Sequence, residues 1–214
     1  MAIFPLLTVQ DLSFSFPGRT LWNDLSFTAR SQEYVVITGE SGSGKTTLLQ
    51  CLGSLEKPTS GKIFYNDVEV SALKGKEQRS FLRNHVSFVF QNSGLVPSWN
   101  VRKNLEFGGF KVEEHQEQVY RACERFGLNT QLLDTPAYQL SGGEQQRIGI
   151  IRAAVRETPL ILLDEPTAAL DDYHAQCVLD FLQEHCRNGG IAIVVTHDYR
   201  VIEQTNSRVH LTAS

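Results

Sequence analysis

No stretch of this chain is apolar for long enough to cross a bilayer: the longest runs, 160–163 and 191–195, fall far short of the ~20 residues a spanning helix needs. The opening MAIFPLLTVQ lacks a basic n-region and a long apolar core, so no secretory signal is expected and a reducing cytoplasm is the expected location. Cysteine is scarce. Cys51, Cys123, Cys177 and Cys186 show neither C-x-x-C spacing nor a neighbouring His pattern, and they read as buried or inert thiols rather than metal ligands. There is no cationic excess: 20 Lys and Arg against 24 Asp and Glu give −4, which argues against life on nucleic-acid phosphates, and no nucleic-acid partner is expected. Gly 16 and Pro 7 are too few for a collagen-like or low-complexity chain. Neither an internal repeat nor a long Pro/Gly/Ser linker divides the sequence. What is present, 214 residues with 41% hydrophobic and 21% charged, is enough for one unit that buries its own core without disulfides.

Alternation of apolar positions predicts short strands over 8–16 and 25–30, joined through the turn-forming Pro17-Gly18 and belonging to a small antiparallel sheet. The β-branched segment 34–38 ends at Gly39 and is followed by a helical stretch over 46–52, giving strand, glycine loop, helix. Strands are predicted over 61–65 and 86–90, with a charged helix over 76–83 between them. Val119, Ala122, Cys123 and Phe126 recur at helical spacing before Gly127, and a second helix runs from Gly142 to about Glu157, with Pro159 beyond it. The region 91–140 therefore reads as mainly helical and as projecting from the sheet. The last third alternates strand (160–164), helix (172–187), strand (191–196), short helix (199–205) and a final strand (209–211), after which no room is expected for an appended regulatory domain. Near-continuous apolar strands alternating with helices predict an α/β fold with a mostly parallel sheet covered on both faces.

Three segments carry chemistry. Gly39-Glu-Ser-Gly-Ser-Gly-Lys45-Thr46 matches G-x-x-x-x-G-K-[ST] directly after a predicted strand and before a predicted helix. Glycines let successive amides point at one phosphate, the helix dipole adds positive potential, Lys45 would reach the β and γ oxygens, and the Thr46 hydroxyl would ligate Mg²⁺. Glu40, Ser41, Gly42, Ser43, Gly44 and Thr47 complete this nucleotide-binding stretch. Further on, 160–163 runs straight into Asp164-Glu165, two carboxylates at the carboxyl end of a buried parallel strand, where open α/β sheets bind ligands. Asp164 is placed to hold Mg²⁺ and Glu165 to polarise a water for attack on the γ-phosphate. Finally, Ser141 and Glu144 form an S-x-x-E capping box, but capping does not call for Gly142 and Gly143 as well. Those glycines leave a second set of helix amides open to phosphate. The segment closes over the same nucleotide or over one held by another copy, and both readings are open at this point.

Leu140-Ser-Gly-Gly-Glu-Gln-Gln-Arg147 resembles the signature motif of the ATP-binding cassette (ABC) family of ATPases, and the resemblance covers essentially the whole chain in order. Gln91 is similar to the Q-loop residue, Ala169-Leu170-Asp171 to the D-loop, and His197 within Val195-Thr-His-Asp198 to the H-loop. The resemblance implies a P-loop NTPase core with an N-terminal antiparallel β subdomain and an inserted helical subdomain at about 92–158, all in one nucleotide-binding domain. It implies ATP and Mg²⁺ as cofactors, and a head-to-tail pair of copies in which Ser141, Gly142 and Gly143 of one bind the γ-phosphate held by the other. It also implies that Gln91 touches Mg²⁺ and the attacking water, that His197 holds the γ-phosphate, and that Asp171 links the two sites. Phe16 occupies the place where family members stack an aromatic ring, commonly tyrosine, on adenine. Two departures are minor: Gln32 precedes Glu33 where glycine is usual, and Asn66-Asp67 stands where a turn glycine is common.

The resemblance further implies transmembrane permease subunits as partners, whose coupling helices dock beside the Q-loop near 91–107, where Leu95, Val96, Trp99 and Phe107 are candidate lining. The run 88–97 and the compact length are similar to bacterial lipoprotein-release and macrolide-export ATPases. The expected role is export or membrane extraction on the inner face of the cell membrane, with an amino-acid-type importer or a non-transport ABC ATPase as alternatives. No N-K-x-D guanine-reading motif supports a GTPase, and a small-molecule kinase would have no use for 140–147.

Overall fold

The computed structural model describes residues 5–205 and 207–212; the first four residues, read above for targeting signals, lie outside them. The chain opens as a hairpin of β1 (Leu6–Phe16) and β2 (Arg19–Arg30), whose turn is Pro17-Gly18 with Gly18 at φ 80°. β2 starts at Arg19 rather than at residue 25. Register shifts around Leu12, Phe14 and Ser15 turn consecutive Leu21 and Trp22 inward, which breaks the alternation that marks a strand in sequence.

Next come β3 (Tyr34–Gly39), α1 (Lys45–Leu52), β4 (Ser60–Tyr65), β5 (Val68–Glu69), α2 (Gly75–His85) and β6 (Val86–Val89). They are followed by α3 (Val101–Leu105), α4 (Gln116–Arg125), α5 (Gly142–Arg156), β7 (Leu160–Asp164), α6 (Asp172–Arg187), β8 (Ile191–Val195), α7 (Tyr199–Ile202) and β9 (Ser207–Leu211). One antiparallel sheet has the order β2-β1-β4-β5, and a second sheet, parallel in every pairing, has the order β6-β7-β8-β3-β9.

Because strand side chains alternate, the parallel sheet divides its residues between two cores. Val35, Ile37, Leu160, Leu162, Ile191 and Ile193 pack with α1 and the antiparallel sheet. Val36, Ile161, Leu163, Ala192 and Val194 pack with α3 to α6. Each fully buried aliphatic side chain contributes about 1.5–3 kcal/mol relative to exposure. The α/β class with a parallel core and an N-terminal antiparallel sheet is therefore as the sequence predicts.

The region 91–140 is less regular than expected. Its regular helices are only α3, of five residues, and α4, of ten, joined by turns and two short 3-10 segments, Thr130–Asp134 and Ala137–Gln139. Val101, Leu105, Val112, Val119 and Phe126 fill its interior in the same buried cluster as Ile161 and Val194, with α3 and α4 packed on α5. Much of its order is polar. Buried Asn104 accepts from the Val96 amide at 2.8 Å and donates to the carbonyls of Val96, Trp99 and Asn100.

Both departures from family glycines lie in left-handed backbone, Gln32 at φ 69° and Asn66 at φ 52°. Asn66 offsets its strain by accepting the Leu6 amide at 2.8 Å through its side chain. No side-chain hydrogen bond of Gln32 does the same among the described residues. A left-handed residue with a Cβ costs about 1–2 kcal/mol, against about 0.5–1 kcal/mol of extra unfolded-state freedom for glycine. Gln32→Gly should therefore stabilise the fold by about 0.5–1 kcal/mol, seen as a melting temperature raised by about 1–4 °C.

Candidate active site

Four functional segments lie at the carboxyl ends of neighbouring parallel strands, where the helices that follow turn away and leave a crevice. The glycine loop follows β3, Gln91 follows β6, Asp164 and Glu165 end β7, and His197 follows β8. Together they line a cleft of 440 Å³ that brings together Phe16, Ser41, Gly42, Gly44, Lys45, Thr46, Thr47, Gln91, Asp164, Glu165 and His197.

The loop's shape depends on its glycines. Gly44, at φ 87°, caps α1 without a side-chain bond, which leaves the first amides of the helix uncovered. A Cβ there would come within 2.8 Å of both Leu21 Cδ1 and Trp22 Nε1. At Gly39 a Cβ would stand 2.4 Å from the Leu211 carbonyl oxygen. Gly39, Glu40 and Ser43 do not line the cleft: Gly39 and Ser43 are buried and Glu40 is exposed. The buried Lys45 ammonium donates to the carbonyls of Gly39 (2.9 Å) and Glu40 (2.8 Å), a cation folded over its own loop. Ser43 Oγ and Trp22 Nε1 are buried without a partner among the described residues.

The acidic corner is closely held. Thr46 donates its hydroxyl to Asp164 Oδ2 at 2.6 Å. Burial raises the Asp164 pKa, opposed by that hydrogen bond and by the Lys45 charge. Glu165 sits in left-handed backbone at φ 47°, its amide donating to the Val195 carbonyl at 2.8 Å. Strain of this kind in a non-glycine residue persists only where surrounding structure enforces it, and it concentrates at functional sites. Glu165 Oε2 accepts the Thr196 hydroxyl at 2.9 Å, and Oε1 lies 3.9 Å from His197 Nε2.

Ser141, Gly142, Gly143 and Asp171 do not join this cleft. Ser141 caps α5 in a complete capping box: its hydroxyl accepts the Glu144 amide at 3.3 Å and donates to Glu144 Oε2 at 2.7 Å, while its own amide donates to the same oxygen at 2.8 Å. These bonds hold the Glu144 pKa below the usual carboxylate range. Among the described residues nothing stands within 4 Å of a Cβ placed on Gly142. Exposed Asp171 caps α6, accepting the His174 amide at 2.9 Å and facing His174 Nδ1 at 2.8 Å, and those bonds lower its pKa. Arg200 ties the adjoining segments together by donating to both Asp198 and Asp172.

Sequence reasoning missed Arg19. It pairs with Phe16 across the hairpin, lines the cleft, and donates from Nη2 to the Gly42 carbonyl at 2.8 Å. Its signal was a cation immediately after the turn that follows the candidate stacking residue.

The candidate docking groove is also differently built. A second cavity, of 840 Å³, opens between α2, the end of β6 and the segment around Gly108, and of the four residues named above only Phe107 lines it. Leu95 packs on the core, the backbone of Val96 is bound by Asn104, and the Trp99 ring lies under the Lys103 ammonium at 4.4 Å.

A phosphate loop after a parallel strand, an acidic strand end and a polar rim define a P-loop nucleotide hydrolase. Residues 22–168 match the ABC transporter family, and the chain belongs to that family. It is 37% identical to the lipoprotein-releasing system ATP-binding protein LolD of Idiomarina loihiensis, over 93% of this chain and 91% of that one. It is 34% identical to the macrolide export ATP-binding/permease protein MacB of Bartonella henselae, over 97% of this chain but only 32% of that longer protein. Among solved structures, the dimeric ATP-binding cassette MJ0796 in a post-hydrolysis state bound to ADP and Pi superposes with a TM-score of 0.90 at 27% identity, over 97% of this chain and 96% of that one. The chain is thus an ATP-hydrolysing ABC subunit of the lipoprotein-release and macrolide-export group. Among the described residues no helix is long and apolar enough to cross a membrane.

Proposed function

We propose that two copies of this chain close head to tail over two ATP molecules, and that this closure drives permease subunits in export or membrane extraction. The observation that carries the reading is the division of the site: the cleft holds the phosphate loop, Gln91, both acids and His197, whereas the α5 terminus with its open Gly142 lies outside it. A chain whose phosphate-binding elements do not meet internally is completed by a second copy. The dimeric cassette that this chain superposes on supports the same reading.

Within the single domain, 92–158 acts as the helical subdomain that carries α5 and Ser141 to the partner's nucleotide. Phe16, exposed and packed edge-on against Phe14 at 5.1 Å, offers its ring to adenine. The amides of 41–47 and Lys45 bind the phosphates. The hard oxygen donors at the acidic corner fit Mg²⁺, which Thr46, Asp164 and Gln91 would hold; when bound it neutralises charge on the phosphate oxygens. Glu165 takes a proton from the attacking water, and His197, its Nε2 3.9 Å from Glu165 Oε1, holds the γ-phosphate. Ser141, Gly142 and Gly143 of the second copy contribute donors to the same phosphate, which requires the Ser141 hydroxyl to leave Glu144. Asp171 reports between the two sites.

Coupling follows from adjacency: Phe90 lines the 840 Å³ groove while its chain neighbour Gln91 lines the nucleotide cleft. A permease segment in that groove would sense the nucleotide through one peptide link and hold the subunit on the inner face of the membrane. The export reading rests on the relatives LolD and MacB, which their names assign to lipoprotein release and macrolide export.

Mixing two dead variants tests completion in trans. Lys45→Ala lacks a working phosphate loop and Ser141→Arg a working signature, yet their mixed dimer contains one complete site. ATP hydrolysis should rise well above the level of either variant alone. A mixture as inactive as its components, with mixed dimers present, would refute the shared site.

A further inference from the structure

We infer that the groove between α2 and the end of β6 takes an acidic segment with an apolar face from the membrane subunit. The inference rests on the docking site proposed above and adds its chemistry.

The floor of the groove is apolar and its rim is cationic. Phe88 and Phe90 stack at 5.2 Å with an interplanar angle of 6°, and Phe107, 59% exposed, stands at one side. Around them Lys76, Arg79 and Arg83 project from α2, spaced i, i+3 and i+7 on one helix face, and Arg152 and Arg156 from α5. Among the described residues the lining contains no Asp or Glu. None of the eight ion pairs among the described residues involves any of these five cations.

The two α5 guanidiniums are satisfied as donors but not as charges. Arg152 donates to the carbonyls of Gly94 (2.9 Å) and Ser93 (3.0 Å), and Arg156 to those of Leu82 (3.0 Å) and Arg83 (2.8 Å). Burial and then the Arg156 charge push Arg152 down to about 10, and burial and then Arg83 lower Arg156. Five like charges gathered on a chain of net charge −4, with no carboxylate among them, form a local potential that remains uncompensated until something anionic enters. The stacked aromatic floor demands apolar contact at the same time. An amphipathic helix with acidic flanks meets both demands; a bare phosphate or a nucleic-acid backbone meets only the first.

The test places a photo-crosslinking amino acid at Ser80, on the groove wall, in the full chain within its native membranes, and sequences the adduct. The expected adduct is a non-membrane segment of an integral membrane protein carrying more acidic than basic residues. The doubly reversed variant Lys76→Glu/Arg79→Glu should lower adduct yield about tenfold with ATP affinity and melting temperature unchanged, and converting the facing acids to Arg should restore it. A neutral or basic segment at this position would leave the docking site standing and overturn its acidic chemistry. Adducts on lipid or nucleic acid alone would overturn the inference as well. Failure of both Ser80 and Phe107 probes to capture a membrane subunit that still co-purifies would remove the docking site itself.

Discussion

Glu165→Gln is expected to lower ATP turnover by about 10²–10⁴-fold, the range supplied by a general base, while ATP still binds. The substitution is nearly isosteric. A Gln side chain can still accept the Thr196 hydroxyl now 2.9 Å from Glu165 Oε2, and the backbone, anchored by the amide bond to Val195, has no reason to move. What is lost is the negative oxygen that accepts a proton from water. Single-turnover kinetics with labelled ATP separate the two effects: binding should match the parent while phosphate release becomes undetectable on its time scale. Near-normal hydrolysis would remove Glu165 from this role and leave its strained backbone unexplained.

Ser141→Arg is expected to reduce hydrolysis about 100-fold, comparable to the loss of one transition-state donor, with the affinity of an isolated copy for nucleotide changed less than about twofold. The two readouts diverge because Ser141 lies outside its own chain's nucleotide cleft. Loss of the cap costs about 1 kcal/mol, which α5 tolerates because Ile148, Ile150 and Ile151 are buried along it. Nucleotide titration at low protein concentration alongside steady-state hydrolysis measures both. An unchanged rate, or an affinity that falls in step with the rate, would contradict completion by a second copy.

The elements that carry chemistry were legible in sequence because each is set by local rules. The glycine loop between strand and helix, the acids ending an apolar strand, and the capping box at Ser141 all follow from backbone geometry within a few residues, and α6 runs from Asp172 to Arg187 as read. What was not legible depends on long-range polar contacts. The order of 91–140 comes from the buried Asn104 side chain bonding the backbone between Val96 and Asn100, which no apolar period reveals. Arg19 reaches the phosphate loop only because the hairpin folds over β3's end, and α2 supplies the groove wall because it packs beside β6. Bulges hid the first half of β2 by placing Leu21 and Trp22 inward together.

The pairing of two copies around ATP is tested most directly by the mass of the Glu165→Gln protein in solution. Sedimentation in saturating ATP should show a species at about twice the 24.0 kDa chain mass, falling back to the single chain when nucleotide is removed, and complexes with its membrane subunits should hold two copies of the chain. A protein that binds ATP yet never pairs under either condition would contradict the account.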